Sequence, residues 1–206
     1  MFSRNVRMDC QEYLSATLGI QREDKHEKYL GFPSIVGKSR RAVFNSIRDR
    51  VWFRIQGWSD KLLSQAGKFV LIKFVLQAVP TYAIGCFRLP LLLINEIHSM
   101  IADYLWHHRD ERKLHWLAWC KLCIQKRYGG LGFRDLKAFN ETMLAKQFWR
   151  ILTEPKRLLS RILKARYFPN TIILEAKLGY NPSFTWRTTL TSKDIINRAA
   201  RWRVGT

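Results

Sequence analysis

SRRAVFNSIRDRVWFRIQGWS, Ser39 to Ser59, is the stretch whose reading decides the fold. Phe44, Ile47, Val51, Ile55 and Trp58 recur at steps of three and four, which lines them along one face of an α-helix. Arg50 and Arg54 fall off that stripe, so the helix is predicted to be amphipathic with a cationic side. Ser39 is a suitable N-cap, because its hydroxyl can accept from an unpaired N–H of the first turn.

The same spacing continues outward in both directions. Gln11 to Leu18 predicts a short helix that ends at Gly19, a C-cap free to take positive φ. Lys28 to Gly31 reads as a short extended piece, and Gly31, Pro33 and Gly37 punctuate a loop. Leu62 to Val79 predicts a second helix, weakened at Gly67 and stopped by Pro80. It is apolar nearly all round and reads as a central core helix. Pro90 suits the first turn of a third helix, with Leu93, Ile94, Ile97, Ile101, Tyr104 and Leu105 at helical spacing. Lys113 to Trp119 is aromatic enough to be extended. Gly129-Gly130-Leu131-Gly132 predicts a turn. Asp135 can cap a fourth helix whose inner face is Leu136, Phe139, Met143, Leu144, Phe148, Ile151 and Leu152, ended by Pro155. Lys156 to Tyr167 predicts a fifth helix, Asn181-Pro182-Ser183 a loop, and Ser192 to Arg201 a last helix. The expected fold is mainly α, a helical bundle followed by a helical connector, with a few short extended segments.

Charge is the strongest functional signal. Lys and Arg number 36 against 16 Asp and Glu, a net charge of +20 over 206 residues. Solubility needs far less, and like charge opposes folding, so a polyanionic partner is expected. Nucleic acid leads, since phosphates are neutralised by such side chains with release of counterions. With 47% hydrophobic residues the chain is no disordered basic tail, and its length suits one domain or two small ones. The charge is also unevenly distributed. Residues 38–73 hold nine basic residues against Asp49 and Asp60, and residues 74–108 hold only Arg88 against Glu96 and Asp103. Residues 146–206 are basic again. Arg48, Arg50, Arg54, Lys61, Lys68 and Lys73 are the candidates for contact with a nucleic-acid backbone.

Other chemistries find little support. The apolar run from Phe69 to Ile94 is broken by Lys73, Gln77, Pro80 and Arg88, so no membrane span is expected. Met1 to Cys10 has no apolar run behind its arginines and is not a secretory signal. Cys10, Cys86, Cys120 and Cys123 do not form a disulfide framework. Cys120 and Cys123 have the spacing of half a zinc site, with His107, His108 and His115 upstream. No second C-x-x-C completes it, so the pair is read as incidental and no metal or cofactor is expected. Gly129 to Gly132 lacks the G-x-x-x-x-G-K-[ST] pattern of a phosphate loop. The aspartates include no adjacent pair and no D-x-D, which two-metal phosphoryl transfer would favour. No G-x-S-x-G nucleophile occurs either. Of the eight tryptophans, Trp52 and Trp58 could stack on bases, although core packing is the expectation for both. Trp106, Trp116, Trp119, Trp149 and Trp186 are assigned to packing.

Six motifs then occur in order. They are Lys28-Tyr-Leu-Gly-Phe-Pro33; Gln56-Gly-Trp58 with Leu62-Leu-Ser-Gln-Ala-Gly67; Gln77-Ala-Val-Pro-Thr-Tyr82; Gly129-Gly-Leu-Gly-Phe133 with Asn140 and Ala145-Lys146; Phe184-Thr-Trp-Arg187; and Trp202-Arg-Val-Gly205. The ordered set resembles the polyprotein of plant LINE-type (non-LTR) retrotransposons, just downstream of the reverse-transcriptase palm, over essentially the whole chain. The resemblance implies a non-catalytic fragment of an RNA-directed DNA polymerase, since the family's paired catalytic aspartates would precede Met1. It implies a palm-to-thumb connector remnant over 1–37, a thumb-like helical bundle over 38–110 and a helical connector over 111–206. A zinc-binding or RNase H region would follow, and Gly205-Thr206 departs from the family's usual Gly-Asp-Gly turn as a truncation would. The implied partner is the backbone of an RNA–DNA or RNA duplex, with the missing palm or a second copy covering the apolar 69–105 segment. The alternatives are a domesticated interaction module and a pseudogene product without selected function. Compartment is undetermined, the nucleus ranking ahead of an organelle.

Overall fold

The computed structural model describes residues 7–19, 28–29, 32–33, 40–59, 61, 63–106 and 116–201. Helix α1, Met8–Leu18, ends as expected at Gly19, whose φ of 62° turns the chain out of the helix. Strands β1, Lys28–Tyr29, and β2, Phe32–Pro33, pair antiparallel, with Lys28 opposite Pro33 and Tyr29 opposite Phe32. Helix α2 runs Arg40–Ser59. The chain divides into two units, Met1–Ser46 and Ile47–Thr206, with the boundary inside α2. The mainly helical fold is the one expected, and the predicted stripe is buried at Phe44, Ile47, Val51 and Ile55. Ser39, His107, His108, His115 and Trp202 to Gly205 lie outside the described residues.

The second predicted helix is corrected. Helix α3 spans only Gln65–Phe74, followed by a 3-10 turn at Leu76–Ala78 and a further helix, α4, Thr81–Cys86. Two local causes set these limits. Ser64 caps α3, its Oγ accepting from the Gly67 N–H at 3.2 Å. Pro80 has no N–H to donate, so the helical hydrogen-bond ladder cannot run through it. Its carbonyl then accepts from the Ile84 N–H at 2.9 Å and opens α4 rather than stopping the chain. Nor is α3 a central helix: Ile72 is buried, while Val70 and Phe74 are 49% and 69% exposed. The apolar character of the segment does not tell which face has a partner.

Helix α5, Leu91–Trp106, begins after Pro90 and buries the predicted positions. A short α6, Trp119–Leu122, takes the place of an extended segment ending at Trp119. Helix α7, Leu136–Thr153, is capped by Asp135, whose Oδ1 accepts from the Lys137 N–H at 2.9 Å. It is the central helix of its unit and packs against α4 and α5. It also packs against α8, Leu158–Tyr167; α9, Phe184–Leu190; and α10, Lys193–Ala199. The short α4, α6 and α9 fall below the length at which apolar periodicity declares a helix.

One core holds the C-terminal part together. Ala145, Phe148 and Ile151 of α7 meet Leu163, Phe168, Ile173, Trp186 and Ile196. Trp186 is fully buried, its ring 4.8 Å from that of Tyr167 and 5.6 Å from that of Phe168. Packing is also the role of Trp58, 6.1 Å from Tyr104, and of Trp119. It is not the role of Trp52, Trp116 or Trp149, which are 47%, 76% and 43% exposed, contrary to expectation.

Candidate nucleic-acid interface

The glycine turn is built from backbone. The Leu131 and Phe133 N–H groups donate to the Leu122 carbonyl at 3.1 and 3.2 Å, and Gly132 N–H donates to Ile124 O at 2.8 Å. Gly130 N–H donates to Gln125 O at 3.3 Å, and Gly129 N–H to Lys126 O at 3.1 Å. These N–H groups are spent inside the turn, so it is not a phosphate cradle, as its sequence pattern predicted. Gly130 is required by space: a Cβ there would lie 2.0 Å from the Ile124 carbonyl oxygen.

The turn delivers two things to α3. Phe133 places its ring 5.2 Å from Phe69, and the ladder continues from Phe133 to Trp119 at 5.5 Å and from Trp119 to His98 at 4.8 Å. Lys126 places its Nζ 4.9 Å from the Phe69 centroid, while Lys73, one helical turn beyond Phe69, places its own 5.3 Å away. Two ammonium groups from segments 53 residues apart thus lie within about 10 Å of each other. Neither has a carboxylate within 4.0 Å among the described residues. The negative ring face steadies each cation, and an anion set between them would offset their mutual repulsion.

His98 anchors the far end of the ladder. Its Nε2 accepts from the Leu136 N–H at 3.4 Å, and burial lowers its pKa to about 4, with the nearby Asp135 opposing. The ring is therefore neutral at neutral pH. Burial pushes the Cys123 thiol up to about 12, with Asp135 and Cys120 adding to the effect, which keeps it protonated and a poor thiolate ligand. Among the described residues no three His, Cys, Asp or Glu gather where a metal ion could sit.

The six predicted cations do not form one cluster. On α2, Arg48 donates to Asp49 at 3.0 Å and lies 3.9 Å from Glu96, so part of its charge is used within the chain. Arg50 is half-buried, and Arg54 is exposed on the same side of the helix. Lys61 is exposed beyond the end of α2. On α3, the Lys68 Nζ lies 5.7 Å from the Tyr104 ring, and burial lowers its pKa. Lys73 is brought to a second cation, Lys126, from a distant segment. Lys126 stands out by no block of charge, because residues 109–145 are only mildly basic; the glycine turn beside it is the available sequence signal.

No family model matches the chain. It is 42% identical over 131 residues to the "Uncharacterized mitochondrial protein AtMg00310" of Arabidopsis thaliana, a match covering 63% of this chain and 85% of that protein. The chain belongs to the family of that protein. It is also 30% identical over 177 residues to the Arabidopsis thaliana "Putative ribonuclease H protein At1g65750", covering 84% of this chain and 28% of that much longer protein. Both matches agree with a retrotransposon-related chain, and neither name specifies a reverse transcriptase. Among the described residues no helix is long and apolar enough to cross a membrane.

Proposed function

We propose that this chain is a non-catalytic segment of a retrotransposon-type reverse transcriptase that grips the phosphate backbone of an RNA–DNA or RNA duplex. The observation that carries the reading is the meeting of Lys73 and Lys126 over Phe69, two cations without an acidic partner among the described residues. The net charge of +20, the exposed Arg54 and Lys61, and the ordered motifs support it. Backbone contacts position a duplex without reading its sequence, which suits a thumb-like grip. Catalysis is no part of the proposal, and primer extension by the pure chain would overturn it. The binding test is an anisotropy titration of a labelled RNA–DNA duplex between 50 and 200 mM salt. Affinity should fall steeply with salt, and the Lys73→Gln/Lys126→Gln double variant should reduce the log–log slope by about 2. A slope near zero for the unaltered chain would sink the reading.

One observation favours a second reading, an interaction module. Val70, Phe74, Leu91 and Leu92 of the apolar segment are between 49% and 74% exposed. Under that reading the chain self-associates at low salt without nucleic acid. A monomer by light scattering in the same samples counts against it.

A further inference from the structure

Helix α2 carries exposed aromatic rings beside its cationic side. Phe53 is 67% exposed and Trp52 47% exposed, and their rings meet edge to face, 5.3 Å apart at 76°. Arg50 lies one turn before Phe53 and so neighbours it on the helix surface, while Arg54, one turn after Arg50, continues the same cationic side along the border of the buried stripe of Ile47, Val51 and Ile55. Leaving two large rings in water forgoes the stabilisation that burial would bring. Burial against an apolar protein surface would also strip water from the neighbouring arginines, so the surroundings disfavour such an occupant. An occupant with both a flat π-face and negative charge suits rings and arginines together.

We propose that Trp52 and Phe53, on a helix whose cationic side adjoins Phe53, form a stacking platform for unpaired nucleotides of a single strand. The inference rests on the nucleic-acid reading above and extends it to a second class of substrate. In a duplex the base faces are already covered by their neighbours, so a surface ring gains nothing from one without unstacking it. An unpaired base offers its face freely, and stacking on an aromatic side chain is tolerant of sequence. The 76° between the rings means that one base lies flat on one ring and meets the other at its edge. The platform therefore takes one base at a time, with the cationic side of α2 supplying charge for the adjoining phosphate.

The test compares a labelled 16-nucleotide single-stranded RNA of mixed sequence with a blunt 16-base-pair RNA–DNA duplex, both titrated with the full chain. Phe53→Leu and Trp52→Leu keep apolar bulk and remove the π-face at exposed positions. Each should weaken single-strand binding about tenfold while leaving duplex binding within about twofold. Phe53→Tyr should restore the single-strand affinity, and Lys73→Gln/Lys126→Gln should weaken duplex binding. If the unaltered chain binds duplex but not the single strand, this inference fails and the duplex reading stands. If both ligands bind and the leucine variants change neither affinity, or change both equally, the platform is also overturned. If neither ligand binds, both readings fall.

Discussion

Asn140 and His98 show what individual side chains contribute. The Asn140 carboxamide is buried and fully used. Its Oδ1 accepts from the Leu89 N–H at 2.9 Å, and its Nδ2 donates to the Ile84 and Phe87 carbonyls, each at 2.8 Å. One α7 residue thereby satisfies three backbone groups where α4 ends and the chain turns toward α5. Its place in the ordered motifs has this structural account without any need for a ligand. His98 makes a pH dependence. Its pKa is near 4 when folded against 6.5 ordinarily, so the unfolded chain binds the extra proton between those values. The stability it contributes is full above pH 6.5 and is lost as pH falls toward 4. After allowance for partial exposure, the loss is about 2 kcal/mol. Urea titrations at pH 7 and pH 4.5 should show it, and His98→Gln, which keeps an acceptor for the Leu136 N–H but cannot titrate, should flatten the difference. An unchanged pH dependence in that variant would contradict the assignment.

At the scale of elements, the 126–133 turn separates two kinds of glycine. Gly129 has a φ of 87° with nothing within 4 Å of an added Cβ, whereas a Cβ at Gly130 would strike the Ile124 carbonyl oxygen. Gly129→Ala should cost about 1 kcal/mol of conformational strain. Gly130→Ala should cost about 3 kcal/mol or more, because backbone must move and the Leu122 and Ile124 hydrogen bonds open with it. Urea midpoints of the two variants check this; equal midpoints would refute it. The caps were legible in sequence at Asp135 and Gly19, since each is a local device. Other elements were not. Ser183 accepts from the Trp186 N–H at 3.2 Å and so caps α9, a helix of seven residues too short for periodicity to reveal. The break at Pro80 was visible, but not that a new helix would start there.

For the whole molecule the governing quantity is the net charge. At +20 the folded chain repels itself, and salt screens that repulsion over about 8 Å at physiological ionic strength. Without nucleic acid, the melting temperature should rise between 50 and 500 mM sodium chloride. A melting temperature that falls would show that internal ion pairs outweigh repulsion, and calorimetry decides between them. Stability and duplex affinity should therefore move in opposite directions with salt. The sequence by itself determined the helical class, the principal buried stripes, the glycine turn and the basic, apolar, basic order of the chain. Those features depend on periodicity, on glycine and proline, and on counts of charge, all local properties. Tertiary structure decided which apolar residues remained uncovered, among them Trp52, Phe53, Val70 and Phe74. It also decided which cations meet. Lys73 and Lys126 are 53 residues apart and share one ring only because the turn folds Phe133 against Phe69. A spacing rule reaches a few residues along one element, whereas a binding site is made by packing between elements.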